Sequence, residues 1–338
     1  MSLLKLDNDY ANWIQNLVSQ FRQSQIKAVV NVNSELLKFY WYLGKDIVEK
    51  QAESKWGSGF FNSLSQDLKR ETGVQKGFSP VNLRYAKRFY LLYSQGVTIL
   101  PQLAEELHDP DFLFKIPWDH HRRIIDNCKG DVNKALFFVQ ETFINGWSRN
   151  VLLNFLDTNL YERQGKAVNN FASTMPSVGS ELASDVLKSP YNFDFLTLSK
   201  DYSEKQLKDA LIQNIAKFLT EMGKGFAYMG REYRLDIAGD EEYPDILFYN
   251  VNLHAYVVVE VKVTPFKPAY VGQLGTYVVA VDHLLRREGD NKTMGILICK
   301  TKNDVVAKYA LESSSQPLGI SEYELQEMLK LEIENHLK

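Results

Sequence analysis

Apolar side chains recur at helical spacing over residues 11–47, among them Ile26, Val29, Val30, Leu36, Leu37, Tyr40, Trp41 and Ile47, with no proline to interrupt them. The pattern predicts one long helix or a pair. After Gly57 and Gly59 a second apolar period runs through Leu64 and Leu68 and stops near Gly73. Ser79 and Pro80 then supply a cap and a first-turn proline for the next helix, so two helices joined by a short glycine-containing turn are expected. Further helices are expected over 101–107, 118–128 and 132–143, with Ser148 capping another over 151–161. No strand pattern precedes residue 190.

Residues 165–190 loosen into small and polar types (ASTMPSVGSELASD), which reads as a connector holding a short helix. The implied organisation is a helical domain over 1–165, a connector over 166–200 and a second domain over 201–338. In that second domain the grammar changes. A helix over 203–222 is followed by β-rich runs at 226–236, 245–249, 256–263 and 295–300, with helical pattern at 270–285, 304–311 and 321–337. The order of its core is αβββαβα.

The runs at 245–249 and 256–263 fit one antiparallel hairpin. Opposed residues have a constant index sum, and 245 plus 260 equals 250 plus 255, leaving a four-residue loop at 251–254. Asp245 then lies opposite Glu260, and Lys262, two residues on, shares their face, while Val257, Val259 and Val261 turn to the other. Two carboxylates opposed on a sheet repel by roughly 0.2–1 kcal/mol at an exposed site. A divalent cation removes that conflict, and carboxylate oxygens with retained waters are what Mg²⁺ prefers; Mn²⁺ is the alternative. The backbone carbonyl of Val261 is a further candidate ligand. The ion would polarise a phosphoryl oxygen and acidify a bound water, with Lys262 orienting the attacking water or stabilising phosphate charge. The bland alternative is a charged stripe on an ordinary strand. Against it stand the fitting loop and the next helix, which puts Gln273 and Tyr277 on one face.

Composition changes this picture little. A chain of 338 residues, 45% hydrophobic and 24% charged, is long enough for two domains with separate cores. No apolar run is long enough for a membrane span, and the first residues lack a secretory signal, so a cytoplasmic location is expected. Cys128 and Cys299 lack zinc-site spacing and read as buried thiols. There is no phosphate-binding glycine loop. His120 and His121, followed by Arg122 and Arg123, are assigned to the surface. His254 in the hairpin loop and His283 near the end of the following helix are candidate substrate contacts.

The net charge of −3 gives no global sign of a polyanion partner, so any such attraction has to be local. Lys69, Arg70, Lys76, Arg84, Lys87 and Arg88 stand against the single acid Glu71. Arg84, Lys87 and Arg88 fall on one face of their helix, with Tyr85, Phe89 and Leu92 on the core-facing stripe. A helix-turn-helix reader is arranged this way, which makes Lys76, Arg84, Lys87 and Arg88 the candidate nucleic-acid contacts. An ordinary solvated basic face is the competing reading.

Longer phrases carry a resemblance: ELLKFYWYLGKDIVEKQ, KGFSPVNLRYAKRFY, NGWSRNVLLNFLDTNLYERQGKA, GFAYMGREYRLDI and FKPAYVGQLGTYV. With these the chain resembles the bacterial YhcG-type family, and residues 208–311 resemble the RecB-like branch of the PD-(D/E)XK nucleases. The resemblance implies an all-helical N-terminal domain with a helix-turn-helix-like element and a restriction-endonuclease-like αβββαβ C-terminal domain. It implies a metal-dependent nuclease built on Asp245, Glu260 and Lys262, with Gln273 and Tyr277 matching the QxxxY element. That branch often carries an acid on the first helix of the domain. The corresponding place here holds Gln213, with Glu221 a poorer candidate, and a site without that acid favours one metal ion. DNA is the expected substrate and RNA an alternative. Restriction-modification or DNA-repair proteins are candidate partners, and the long helices allow self-association. The second reading is a nucleic-acid-binding or assembly protein with weak or no cleavage.

Overall fold

The computed structural model describes residues 8–96 and 98–326. They fall into two compact units, Met1–Tyr161 and Glu162–Lys338. In the first, the long apolar period forms one helix of 42 residues, Asn8–Glu49. The two helices around the glycine turn are Phe60–Thr72 and Pro80–Tyr93. Gly73 ends the first in the left-handed region at φ 72°, and Ser79 Oγ accepts from Asn82 N (3.2 Å) to start the second. The long helix meets Pro80–Tyr93 backbone to backbone: a Cβ on Gly44 would stand 2.2 Å from the Ala86 carbonyl oxygen. Leu37, Tyr40, Leu43, Leu64 and Leu83 fill the space around that crossing. A second cluster, around Phe89, Tyr93, Ile124, Phe138 and Leu152, is enclosed by helices Trp118–Cys128, Val132–Asn145 and Arg149–Asp157.

His120 and His121 are not on the surface. They continue the inward stripe of Ile124, Ile125 and Cys128 on one helix, and both are buried. His121 stands 3.1 Å from Tyr93 Oη and 2.9 Å from the Leu113 carbonyl, and burial pushes its pKa down to about 3, so it is a neutral core residue. His120 Nε2 meets the Trp147 carbonyl at 2.9 Å. Cys128 and Cys299 are buried thiols, as expected.

The second unit contains β1 (Val168–Asn169), β2 (Tyr191–Asn192), β3 (Phe226–Arg231), β4 (Leu235–Ile237), β5 (Asp240–Glu242), β6 (Ile246–Asn250), β7 (Ala255–Lys262), β8 (Met294–Cys299) and β9 (Leu318–Glu324). The main sheet runs β1-β9-β8-β7-β6-β3 with β2 beside β9, and β4 and β5 form a separate ladder. β3, β6 and β7 pair antiparallel, whereas β7, β8 and β9 are parallel. Helices Glu204–Gln213 and Ile215–Met222 cover one face, packing on Phe248, Val257, Val259 and Val261. Helices Ala269–Leu284 and Asp304–Glu312 cover the other, on Leu247, Val258 and Leu297.

Four expectations change. The helix over 203–222 is two helices, broken at Asn214 (φ −108°, ψ 33°). The run at 226–236 is split between β3 and β4. The helix expected over 321–337 overlaps β9 at its start, and residues 327–338 lie outside the described residues. β9 was hidden because it is buried on both faces and carries Gly319 and Ser321, which give no apolar alternation. A Cβ at Gly319 would come 2.4 Å from Leu187 Cδ1. Finally, the stretch 166–200 is no bare connector: Phe171, Leu187, Tyr191 and Phe193 are fully buried in the second unit's core.

Candidate active site

The hairpin register is the one the index sum requires: Ile246 pairs with Val259 and Asn250 with Ala255, which sets Asp245 against Glu260. The two carboxylates are knitted into the ladder. Asp245 N donates to Glu260 Oε1 (3.1 Å), and Val261 N donates to Asp245 Oδ2 (2.9 Å). One oxygen of each acid is thereby fixed by the opposite strand's backbone, and the other is left to side-chain partners.

Those remaining oxygens face lysines. Asp245 Oδ1 lies 2.5 Å from Lys208 Nζ, and Glu260 Oε2 lies 3.2 Å from Lys262 Nζ. Both ammoniums also reach Glu204 Oε1, at 3.1 Å from Lys208 and 3.3 Å from Lys262. The result is an alternating chain, Asp245–Lys208–Glu204–Lys262–Glu260. Lys262 further lies over the Tyr270 ring, 5.7 Å from its centroid.

Asp245 and Glu260 are 6% and 2% exposed, so their charges are largely removed from water. Burial, then the neighbouring Asp245 charge, pushes the Glu260 carboxyl up to about 7, against the pull of Lys262. Burial pulls Lys208 and Lys262 down, but the surrounding carboxylates outweigh it and hold both above the ordinary lysine value. Two largely desolvated acids, each with one oxygen bound to no backbone group but only to a lysine, are a donor set for a hard divalent ion that keeps several waters, such as Mg²⁺. They suit Zn²⁺ poorly, and among the described residues no group of three His, Cys, Asp or Glu side chains is gathered for a metal.

Tyr277 is buried on the same sheet face and accepts a hydrogen bond from Gln273 Nε2 (2.9 Å). Burial raises its hydroxyl pKa, the Gln273 bond lowers it, and the Glu260 and Glu242 charges raise it further. Gln273 itself is exposed. His254 sits at φ 46° in the turn closing the far end of β6 and β7, away from Asp245 and Glu260. His283 lines a separate open groove with Gly272 and Gly275.

The acid that the first helix brings to these lysines is Glu204. Gln213 lies at the opposite end of the same helix, about 14 Å along it. Glu221 is committed elsewhere, in a buried ion pair with Arg163. The available sequence signal was Ser203-Glu204 with Lys208 one turn later, a capped helix start carrying an acid and a base; Ser203 and Gln206 form the capping box.

In the first unit the basic helix is less bare than its sequence suggests. Lys87 is paired with Glu53, and Arg88 with Asp126 (2.8 Å). Arg70 is held by Asp67 (2.9 Å) and Glu71 (3.0 Å). Arg84 lies over the Phe61 ring (5.0 Å), and Lys76 is exposed on the turn. Phe89 and Leu92 are buried as expected, but Tyr85 is only half-buried, its ring between Arg88 and Arg122.

Residues 184–338 match the model of the YhcG PDDEXK nuclease domain, and residues 16–163 that of the DUF1016 N-terminal domain. The chain is 27% identical over 330 residues to YhcG of Escherichia coli (strain K12), spanning 90% of this chain and 87% of that protein. Among solved structures, a repair endonuclease from Pyrococcus abyssi is similar over 38% of this chain and 50% of its own, at 19% identity and TM-score 0.26. An EndoMS-dsDNA2 complex is similar over 42% and 50%, at 22% identity and TM-score 0.27. The chain spans about half the length of those two structures, and scores this low lend no weight to the assignment. That assignment rests on the two domain models, which follow one another along most of the sequence: this chain belongs to the YhcG-type family, a DUF1016 N-terminal domain joined to a PDDEXK nuclease domain.

Proposed function

We propose that the second unit hydrolyses phosphodiester bonds of DNA at Asp245, Glu260 and Lys262, assisted by a divalent cation, Mg²⁺ or Mn²⁺. The observation that carries this reading is the reciprocal backbone bonding of the two acids, which fixes one oxygen of each and leaves the other to a single connected set of lysines and Glu204. Asp245, Glu260 and the Val261 carbonyl would hold the ion. When bound, it supplies charge neutralisation at the scissile phosphate and lowers the pKa of its water. Water adds to phosphorus and the P–O bond to the leaving oxygen breaks; the proton lost by water ends on that oxygen or in solvent. In this reading Lys262, which lies between Glu260 and Glu204, orients the water and stabilises negative charge on the phosphate. Tyr277 and Gln273 hold the neighbouring wall of the site.

The first unit supplies nucleic-acid contacts in this reading, through Lys76 and Arg84, and through Lys87 and Arg88 once phosphates compete with Glu53 and Asp126. The test is purified full-length protein with end-labelled single-stranded, duplex and branched DNA, and with RNA, beside Lys262→Ala. Cleavage of DNA by the wild type and loss in the variant is the expected outcome. Binding of every substrate without cleavage sinks the catalytic reading in favour of an assembly role, and cleavage of RNA alone changes the substrate.

A further inference from the structure

The lysine of the strand motif accounts for one of the two ammoniums in the site. Lys208 comes from a different element, the helix Glu204–Gln213, and no part of the proposed reaction uses it. An ordinary i,i+4 pair would hold Lys208 to Glu204 and leave it on the helix surface. Instead its side chain, 18% exposed, extends across to Asp245 Oδ1 at 2.5 Å while keeping Glu204 Oε1 at 3.1 Å. Because Asp245 Oδ2 is committed to Val261 N, the oxygen beneath Lys208 is the one Asp245 has left for a cation.

We infer that Lys208 is a displaceable internal counter-ion: its ammonium occupies the Asp245 oxygen in the ion-free protein and withdraws to Glu204 when a divalent cation takes that oxygen. This rests on the metal reading proposed above and adds a regulation to it. Charge balance shows what the exchange achieves. With all three carboxylates ionised, they and the two ammoniums sum to −1, which offsets the repulsion of the opposed acids. Addition of a dication brings the same five side chains to +1, and one phosphodiester then neutralises them. Substrate charge is thus matched by the loaded site, and the ion has to compete for its seat. Lys208 acts here as a positioning residue, and Glu204 as the acceptor that receives it.

The test is calorimetric titration of Mn²⁺ alone into full-length wild type, Lys208→Met, Glu204→Gln and the double variant, each checked for folding by circular dichroism. Lys208→Met is expected to bind Mn²⁺ tighter than wild type by on the order of tenfold or more, because the competing ammonium is gone. Glu204→Gln is expected to bind more weakly, since Lys208 loses its resting place. The double variant is expected to recover at least wild-type affinity. If Lys208→Met unfolds without the ion, Lys208→Gln, which still donates to Asp245, carries the same comparison. Wild type that binds Mn²⁺ with Lys208→Met no tighter overturns the exchange alone. A double variant as weak as Glu204→Gln also overturns it, making Glu204 a ligand. Folded wild type that takes up no Mn²⁺ at millimolar concentration overturns the metal reading beneath it.

Discussion

Replacing Glu260 with Gln should stabilise the ion-free protein above neutral pH while destroying its function. The side chain is 2% exposed, and its carboxyl is pushed from 4.5 up to about 7 by burial and by Asp245. A carboxyl raised in the folded state binds its proton there over a window where the unfolded chain has already lost it. Below pH 4.5 both states are protonated and no penalty exists. Between 4.5 and about 7 the unfolded chain has given up the proton that the folded state keeps, so stability falls, and above about 7 the buried group is ionised and the penalty is complete. A shift of this size corresponds to about 3 kcal/mol, at roughly 1.4 kcal/mol per pH unit. The lost contact to Lys262 offsets part of the gain, so Glu260→Gln should be more stable than wild type by about 1–3 kcal/mol at pH 8 in chelator. The two should converge near pH 4.5. All five tryptophans lie before residue 162, so unfolding of the second unit has to be followed by circular dichroism or calorimetry rather than fluorescence. A Glu260→Gln protein less stable than wild type at pH 8 without divalent ions would refute the reasoning.

Other outcomes follow from single contacts. Arg163→Met strands the buried Glu221 carboxylate, which also accepts from Asn192 N (3.0 Å), and should cost about 3–5 kcal/mol in calorimetry of the second unit; a cost under 1 kcal/mol would mean that the pair is solvated. Gly44→Ala should destabilise the first unit by about 1–3 kcal/mol, because its Cβ would collide with the Ala86 carbonyl, and here tryptophan fluorescence is the direct readout. Lys76→Glu with Arg84→Glu should weaken DNA binding and flatten its salt dependence by about one to two units of slope, while leaving Mn²⁺ affinity alone. An unchanged slope would reduce the basic helix to a solvated face.

The hairpin was legible in the sequence because it depends on local arithmetic: strand period, loop length and the spacing from Asp245 to Glu260 fix a register without any tertiary information. The helices of the first unit were legible for the same reason, through period and caps such as Ser79. Most of the features that were missed depend on partners distant in sequence. Lys87 and Arg88 read as a bare basic face because Glu53 and Asp126 lie far along the chain. His120 and His121 read as surface because their polarity masked a helical stripe that their spacing to Ile124, Ile125 and Cys128 does satisfy. Glu204 and Lys208 stand about forty residues before Asp245, and only the packing of their helix against β7 brings them to the acids.

The central claim is that Asp245 and Glu260 form a cation-dependent site for phosphodiester cleavage. It is tested most directly by following end-labelled duplex DNA with wild type and Asp245→Ala, first in chelator and then with Mg²⁺ restored in excess. The account predicts no cleavage in chelator, return of cleavage by wild type on adding Mg²⁺, and none by Asp245→Ala under either condition. Equal cleavage by both proteins, or cleavage by wild type that persists undiminished in chelator, would contradict it.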